Sequence, residues 1–412
     1  MDVDAAKARV LDRIDERDAV ALAQLMVRTP SVFPEEKDVA RLLADRYDGY
    51  GLELTMDEVE AGRCNVLGAL AGAGERPRLL IEGHIDVVAP GDESNWIGGP
   101  WSGRIEDGRL YGRGAHDMKA GIAAAAIAAK AIKASGVRLK GDLQVAGFVD
   151  EENLMIGVRH YVKSGRAREL GAAITLEPTF GMSIGTAFCG RSRADVIFRG
   201  MPGHTGIHPR SGIGSNAIHM AWRLIKAIEE RLPPHQSNDL YGESHWQAVA
   251  ITGGNPFEAT IPARCTVRID ARQVPGHRSE SIWSYVEALI AEFRREDPRI
   301  DAVVEPVKDY ETAAWSTPVN ADIVMVVRDA FRAVTGHEAP LNQIPMVPPG
   351  SRFPLKVSTD LHHIAPLGVP CLNIGPRGSN AHMANEFVEV GDIAALARIL
   401  ALTAVDYLGV AV

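Results

Sequence analysis

The chain has 412 residues, enough for two domains, with 24% charged residues and a formal net charge of −9. An acidic balance without long runs of like charge excludes the basic face of a nucleic-acid binder. The longest apolar segment, GIAAAAIAAKAIKA at 121–134, is interrupted by lysines, which fits a packed helix and not a membrane span.

In chain order, MDVDAAKARVLDRIDERDAV reads as a charged helix and lacks the basic start and apolar stretch of a signal peptide. Helices are expected over 18–27 and 36–47, and strands over 64–70, 78–81, 142–149 and 172–176, with the Ala-rich helix between two of them. This alternation predicts an α/β domain with a mainly parallel sheet flanked by helices. The middle differs: strand 193–199, helix 215–232, strands 246–252 and 263–271, helix 279–295 and strand 300–307. That β-α-β-β-α-β order is the ferredoxin-like pattern. From about 310 the first pattern resumes, with helix 321–334, strand 369–374 and helix 390–407. The expected organisation is a discontinuous α/β domain, 1–191 and 310–412, with an α+β domain, 192–309, inserted. Cys64, Cys189, Cys265 and Cys371 lie far apart, so free thiols and a cytoplasmic location are expected.

Chemistry-bearing residues gather after the strands. His84 and Asp86 in IEGHIDVV sit where open α/β sheets place ligands. GRGAHDMK supplies Asp117 ahead of the Ala-rich helix, where a helix cap would also account for it. VDEEN places Asp150, Glu151 and Glu152 directly after an apolar strand, a costly arrangement unless a cation or solvent meets it. Glu177 follows AAITL, and NAHMANE supplies His382, with Glu386 starting or bracing the next segment. Two imidazoles and three carboxylates suit zinc, and also manganese or cobalt. Their number exceeds one tetrahedral site and fits two ions sharing a carboxylate. A general base must stand beside the metals but off them, a division open to either Glu151 or Glu152.

The motifs GHIDVV, DGRLYGRGAHDMK, DEEN, LEP and AHMANE, in this order, resemble the co-catalytic metallohydrolases: aminoacylases, acetylornithine deacetylase, succinyl-diaminopimelate desuccinylase and glutamate carboxypeptidases. The resemblance implies His84, Asp117 and Glu177 on one ion and Glu152 and His382 on the other, with Asp117 bridging. It makes Glu151 the base that takes a proton from a metal-bound water, and Asp86 the partner holding the His84 tautomer. It also implies hydrolysis of an amide of an N-acyl amino acid or small peptide-like carboxylate.

In GMPGHTGIHPRSGIGSNAI the resemblance makes His204 an oxyanion donor, in its own or a partner subunit, with His208 a weaker candidate. It makes the insert a lid and homodimerisation surface. Several positions depart from the pattern: Ala259 replaces an Asn before Ile-Pro, His116 replaces a small residue or Cys, and Lys356–Asp360 replaces a Gly-rich loop followed by His362 and His363. These changes surround the substrate, so a ureido acid or an electron-poor aromatic amine remains an alternative to an amide. A non-catalytic binding protein on this fold would have lost a ligand or the base, and none is lost. Arg377, Arg352 and Asp360 are the candidate contacts to the substrate, with Arg377 favoured over Arg352 for pairing with a carboxylate.

Overall fold

The computed structural model describes residues 2–179, 181–207, 211, 213–231, 237–254, 259–342 and 356–411. The chain forms two compact units, Met1–Ala187 with Ser316–Leu355 and Thr359–Val412, and Phe188–Trp315 with Lys356–Ser358.

The first unit is built on a six-stranded sheet. Its order across the sheet is Glu53–Glu60, Arg63–Leu70, Gly141–Phe148, Arg76–His84, Leu170–Thr175 and Cys371–Asn373. The last four strands are mutually parallel, with His84 opposite Phe148, Glu82 opposite Thr175, and Thr175 opposite Asn373. Their carboxyl ends therefore share one edge. The two strands at the other side pair antiparallel.

The Ala-rich segment forms the helix Ala120–Ser135 and is buried nearly all round. Its small side chains allow close packing against the C-terminal helix Val390–Leu408. Gly121 faces Leu176 so closely that a Cβ there would lie 2.7 Å from the Leu176 Cβ. That approach fixes the main chain one residue before Glu177. A small antiparallel sheet, ordered 378–379, 387–389, 109–111 and 104–106, ties the segment after Tyr111 to the segment around His382.

The second unit is an antiparallel sheet in the order His245–Gly253, Arg264–Gln273, Gly190–Arg199 and Asp301–Pro306. Period-two alternation aims Ala194, Val196, Phe198, Val267 and Ile269 at the helices Ala217–Glu230 and Ser279–Glu296. The Asn216 side chain caps the first helix by accepting from the amides of Ile218 and His219. The mixed α/β class and mainly parallel sheet expected from the sequence are both present. No described helix is long and apolar enough to cross a membrane.

Candidate metal centre

His84 closes its strand, and the parallel strands ending at Phe148 and Thr175 deliver Glu151, Glu152 and Glu177 at the same edge, while Asp117 and His382 come from the segments tied together by the small antiparallel sheet. Asp117 is the hub. Its Oδ1 lies 3.0 Å from His84 Nε2 and its Oδ2 lies 3.3 Å from His382 Nε2. His382 Nε2 is also 3.0 Å from Glu152 Oε1, and His84 Nε2 is 4.0 Å from Glu177 Oε1. One carboxylate thus presents an oxygen to each of two His–Glu pairs. Two sets of donor atoms, His84–Asp117–Glu152 and His84–Glu151–Glu177, each lie within 4.8 Å of one another. The nitrogen and carboxylate donors fit divalent ions of the zinc type, and a ligating carboxylate between two such pairs fits two of them.

The electrostatics of the protein groups alone point the same way. Burial pushes the Asp117 carboxyl up, but hydrogen bonds from His382 and His84 outweigh it and hold it far below the usual range. Burial likewise pulls His84 down, yet Asp117, Glu177 and Asp86 together leave it well above its ordinary value. His382 is pushed up to about 11, first by Asp117 and then by Glu152. Glu177 is raised well above the carboxylate range, by burial and then by Asp117. Such a cluster of opposed shifts is typical of a functional site.

The three acidic residues after Phe148 divide in role. Asp150 turns inward, 2.9 Å from Arg63 Nη2, and accepts from the Leu154 amide at 3.1 Å. Arg63 is held in turn by Glu36, with Nε donating at 2.9 Å. Glu151 and Glu152 are left to face the centre.

Asp86 differs from expectation. His84 Nδ1 lies 2.9 Å from the main-chain oxygen of Asp86, and 3.7 Å from its carboxylate. The carboxylate instead accepts from the amides of Glu151 and Glu152, each at 3.1 Å. The strand ends at His84, so alternation no longer sets the direction of Asp86. Its carboxylate turns to the nearest buried N–H groups, which require partners. Burial raises this carboxyl to about 7.

The substrate candidates fare less well. Arg377 is already paired: its Nε and Nη2 donate to Asp392 at 2.7 and 2.8 Å. Asp360 is a buried acid, 1% exposed, and burial followed by Glu82 raises its carboxyl well above the usual range. Its charged neighbours are Glu82, Glu151, His84 and Asp86, so it lies beneath the centre. His116 is buried and pulled down to about 4 by desolvation, so it is neutral, with Nε2 3.2 Å from the Pro376 oxygen. Ala259 accepts the Thr205 amide through its main-chain oxygen at 3.0 Å. In the second unit His204 is exposed, and its Nδ1 accepts from the Gly206 amide at 3.0 Å. That bond leaves Nε2 as the ring nitrogen able to donate. His208 and Arg352 lie outside the described residues.

The model for "Peptidase family M20/M25/M40" matches residues 80–406. The chain belongs to that family. The match spans His84, Asp117, Glu151, Glu152, Glu177 and His382. A succinyl-diaminopimelate desuccinylase of Nitrosospira multiformis is 29% identical over 394 residues, covering 94% of this chain and 97% of the relative. Aminopeptidase PepT from Bacillus cereus shares the fold, with a TM-score of 0.74 at 19% identity, covering 95% of this chain and 98% of that one. YXEP of Bacillus subtilis, described as a dinuclear metal binding peptidase of the M20 family, has a TM-score of 0.70 at 14% identity, covering 95% and 98%. As a member of a peptidase family, the chain is a metal-dependent hydrolase of amide C–N bonds, the class implied by its motifs.

Proposed function

We propose that the chain is a two-metal amidohydrolase that removes the acyl group from an N-acyl amino acid, with an N-succinyl group the first to test. The observation that carries this reading is the placement of the two Asp117 oxygens, one beside His84 and the other beside His382. His84, Asp117 and Glu177 would hold one ion, and Glu152, His382 and Asp117 the other. Zinc suits this donor set, and manganese or cobalt could replace it. Two divalent ions there supply an activated water and polarisation of the scissile carbonyl. Glu151, placed as the base by its motif DEEN, takes the proton from the attacking water and delivers it to the leaving amine. Asp86 holds the Glu151 and Glu152 amides, and so aims the base and a ligand together.

His204 is the inserted unit's candidate oxyanion donor, in its own or a partner subunit. A homodimer through that unit is supported by its edge strand His245–Gly253, which exposes Val249 at 49% and Ile251 at 53%. Unpaired apolar edges of this kind are usually covered. Light scattering of the purified protein at twice the chain mass supports this part, and a monomer at micromolar concentration removes it.

The substrate is tested by a panel of N-succinyl and N-acetyl amino acids, dipeptides, ureido acids and amino-substituted aromatic acids. The reading predicts metal-dependent amide cleavage, fastest for an N-succinyl amino acid carrying a second charged group. Inert amides together with ammonia release from the ureido or aromatic compounds would overturn it. The relatives named for desuccinylation motivate the acyl group.

A further inference from the structure

Glu386 has no part in the ligand set, yet its carboxylate accepts from four donors beside the centre. It is fully buried, at 0% exposure. Its Oε1 accepts from the amides of His116 at 2.9 Å and Asp117 at 3.0 Å. Its Oε2 accepts from the Gly114 amide at 3.1 Å and from Arg113 Nη1. Three main-chain donors within four residues therefore converge on one side chain.

The fold explains how this residue arrives there. Strand 387–389 pairs antiparallel with 109–111, placing Phe387 opposite Tyr111. The chain before Phe387 therefore meets the chain after Tyr111, and the Gly112 amide donates to the Glu386 main-chain oxygen at 2.9 Å. Gly114, at φ 81, turns the next amides inward as side chains other than glycine rarely permit. The loop would otherwise bury three unpaired donors, each a costly loss.

We propose that Glu386 is the positioning residue for the metal-bridging carboxylate. It fixes the main chain of 114–117 so that Asp117 presents one oxygen to each histidine before any ion arrives. His382 lies four residues earlier on the same segment, so one segment supplies a ligand of one ion and the brace for the ligand shared by both. Uptake of the two ions is thereby coupled through the chain. The proposal rests on the reading of Asp117 as the shared ligand.

The test begins with metal-stripped wild-type protein and hydrogen exchange over peptides covering 112–118. Slow exchange in the stripped protein is expected, unchanged when zinc is added. Fast exchange that slows only with zinc would overturn the proposal, because the ion and not Glu386 would then be arranging the loop. Zinc titration calorimetry comes next, on wild type, Glu386→Gln and the control Glu389→Gln. Gln keeps the shape but places an amide NH₂ against N–H donors. Loss of such a supporting partner weakens metal affinity roughly 10- to 100-fold, and here both ions should weaken together, with kcat falling and KM for the substrate held. The control should match wild type. A folded Glu386→Gln protein that binds two ions with wild-type affinity, even at a lower Tm, shows a merely structural residue and overturns the inference. Wild type that fails to take up two ions fails earlier and differently: it removes the reading of the centre itself, and the inference with it.

Discussion

Replacing Asp86 by Asn separates two accounts of what this residue does. Its carboxylate bridges the amides of Glu151 and Glu152 at 3.1 Å each, while His84 is held by the Asp86 main-chain oxygen at 2.9 Å. Asn keeps one acceptor and turns an NH₂ toward the other amide, leaving one buried donor unmet. That costs about 1–3 kcal/mol. Expressed as misplacement of the base, the same energy is roughly 5- to 150-fold in kcat. The His84 contact survives, because it uses the main chain. The variant should therefore retain the His84-side ion and its KM while losing kcat. Steady-state kinetics paired with metal analysis of the same sample provides the assay. Wild-type kcat at full metal content would refute the reasoning. So would a defect wholly explained by loss of the ion at His84, since that would put Asp86 to work on the imidazole and not on the amides.

Other outcomes rest on named contacts. Glu151→Gln should keep both ions and lose roughly 100- to 10,000-fold in turnover, the usual contribution of a general base, as read from progress curves on metal-verified protein. His382→Ala should reduce bound metal from two ions to one, measured by elemental analysis. Gly121→Ala forces a Cβ against Leu176 and should lower unfolding free energy by about 1–3 kcal/mol, seen in denaturant melts. Arg377→Ala should leave KM for a carboxylate substrate unchanged, because Asp392 already occupies the guanidinium. A large KM rise would restore that arginine to the substrate site.

Much of this centre was legible because it obeys one rule of open α/β sheets: ligands gather at the carboxyl ends of parallel strands. Apolar runs such as LLI before His84 and AAITL before Glu177 mark those strands without any structure. The β-α-β-β-α-β order of the insert was legible for a similar reason, since its helices show strong apolar periodicity. What escaped lies where periodicity stops. Asp86 is past its strand end, so its carboxylate direction depends on which amides lack partners. The strands 104–106 and 109–111 are three residues each, too short to show alternation, and their partner at 387–389 is remote in sequence. The strand Glu53–Glu60 was hidden by its acidic residues, which suit a strand at the sheet edge. Arg377 looked available because Asp392 sits fifteen residues on, at a helix start that folds back beside it. Asp360 looked like a substrate contact from its loop, and its burial beside Glu82 is a feature that the loop pattern does not carry.

The central claim is that two ions share Asp117 and that both are needed for turnover. Its most direct test is activity of metal-stripped protein against added equivalents of zinc, with bound metal counted in parallel. Activity on the best amide should rise until two ions per chain are bound, and should be lost again when both are stripped. Full activity at one ion per chain, or amide hydrolysis by protein shown to hold none, would contradict it.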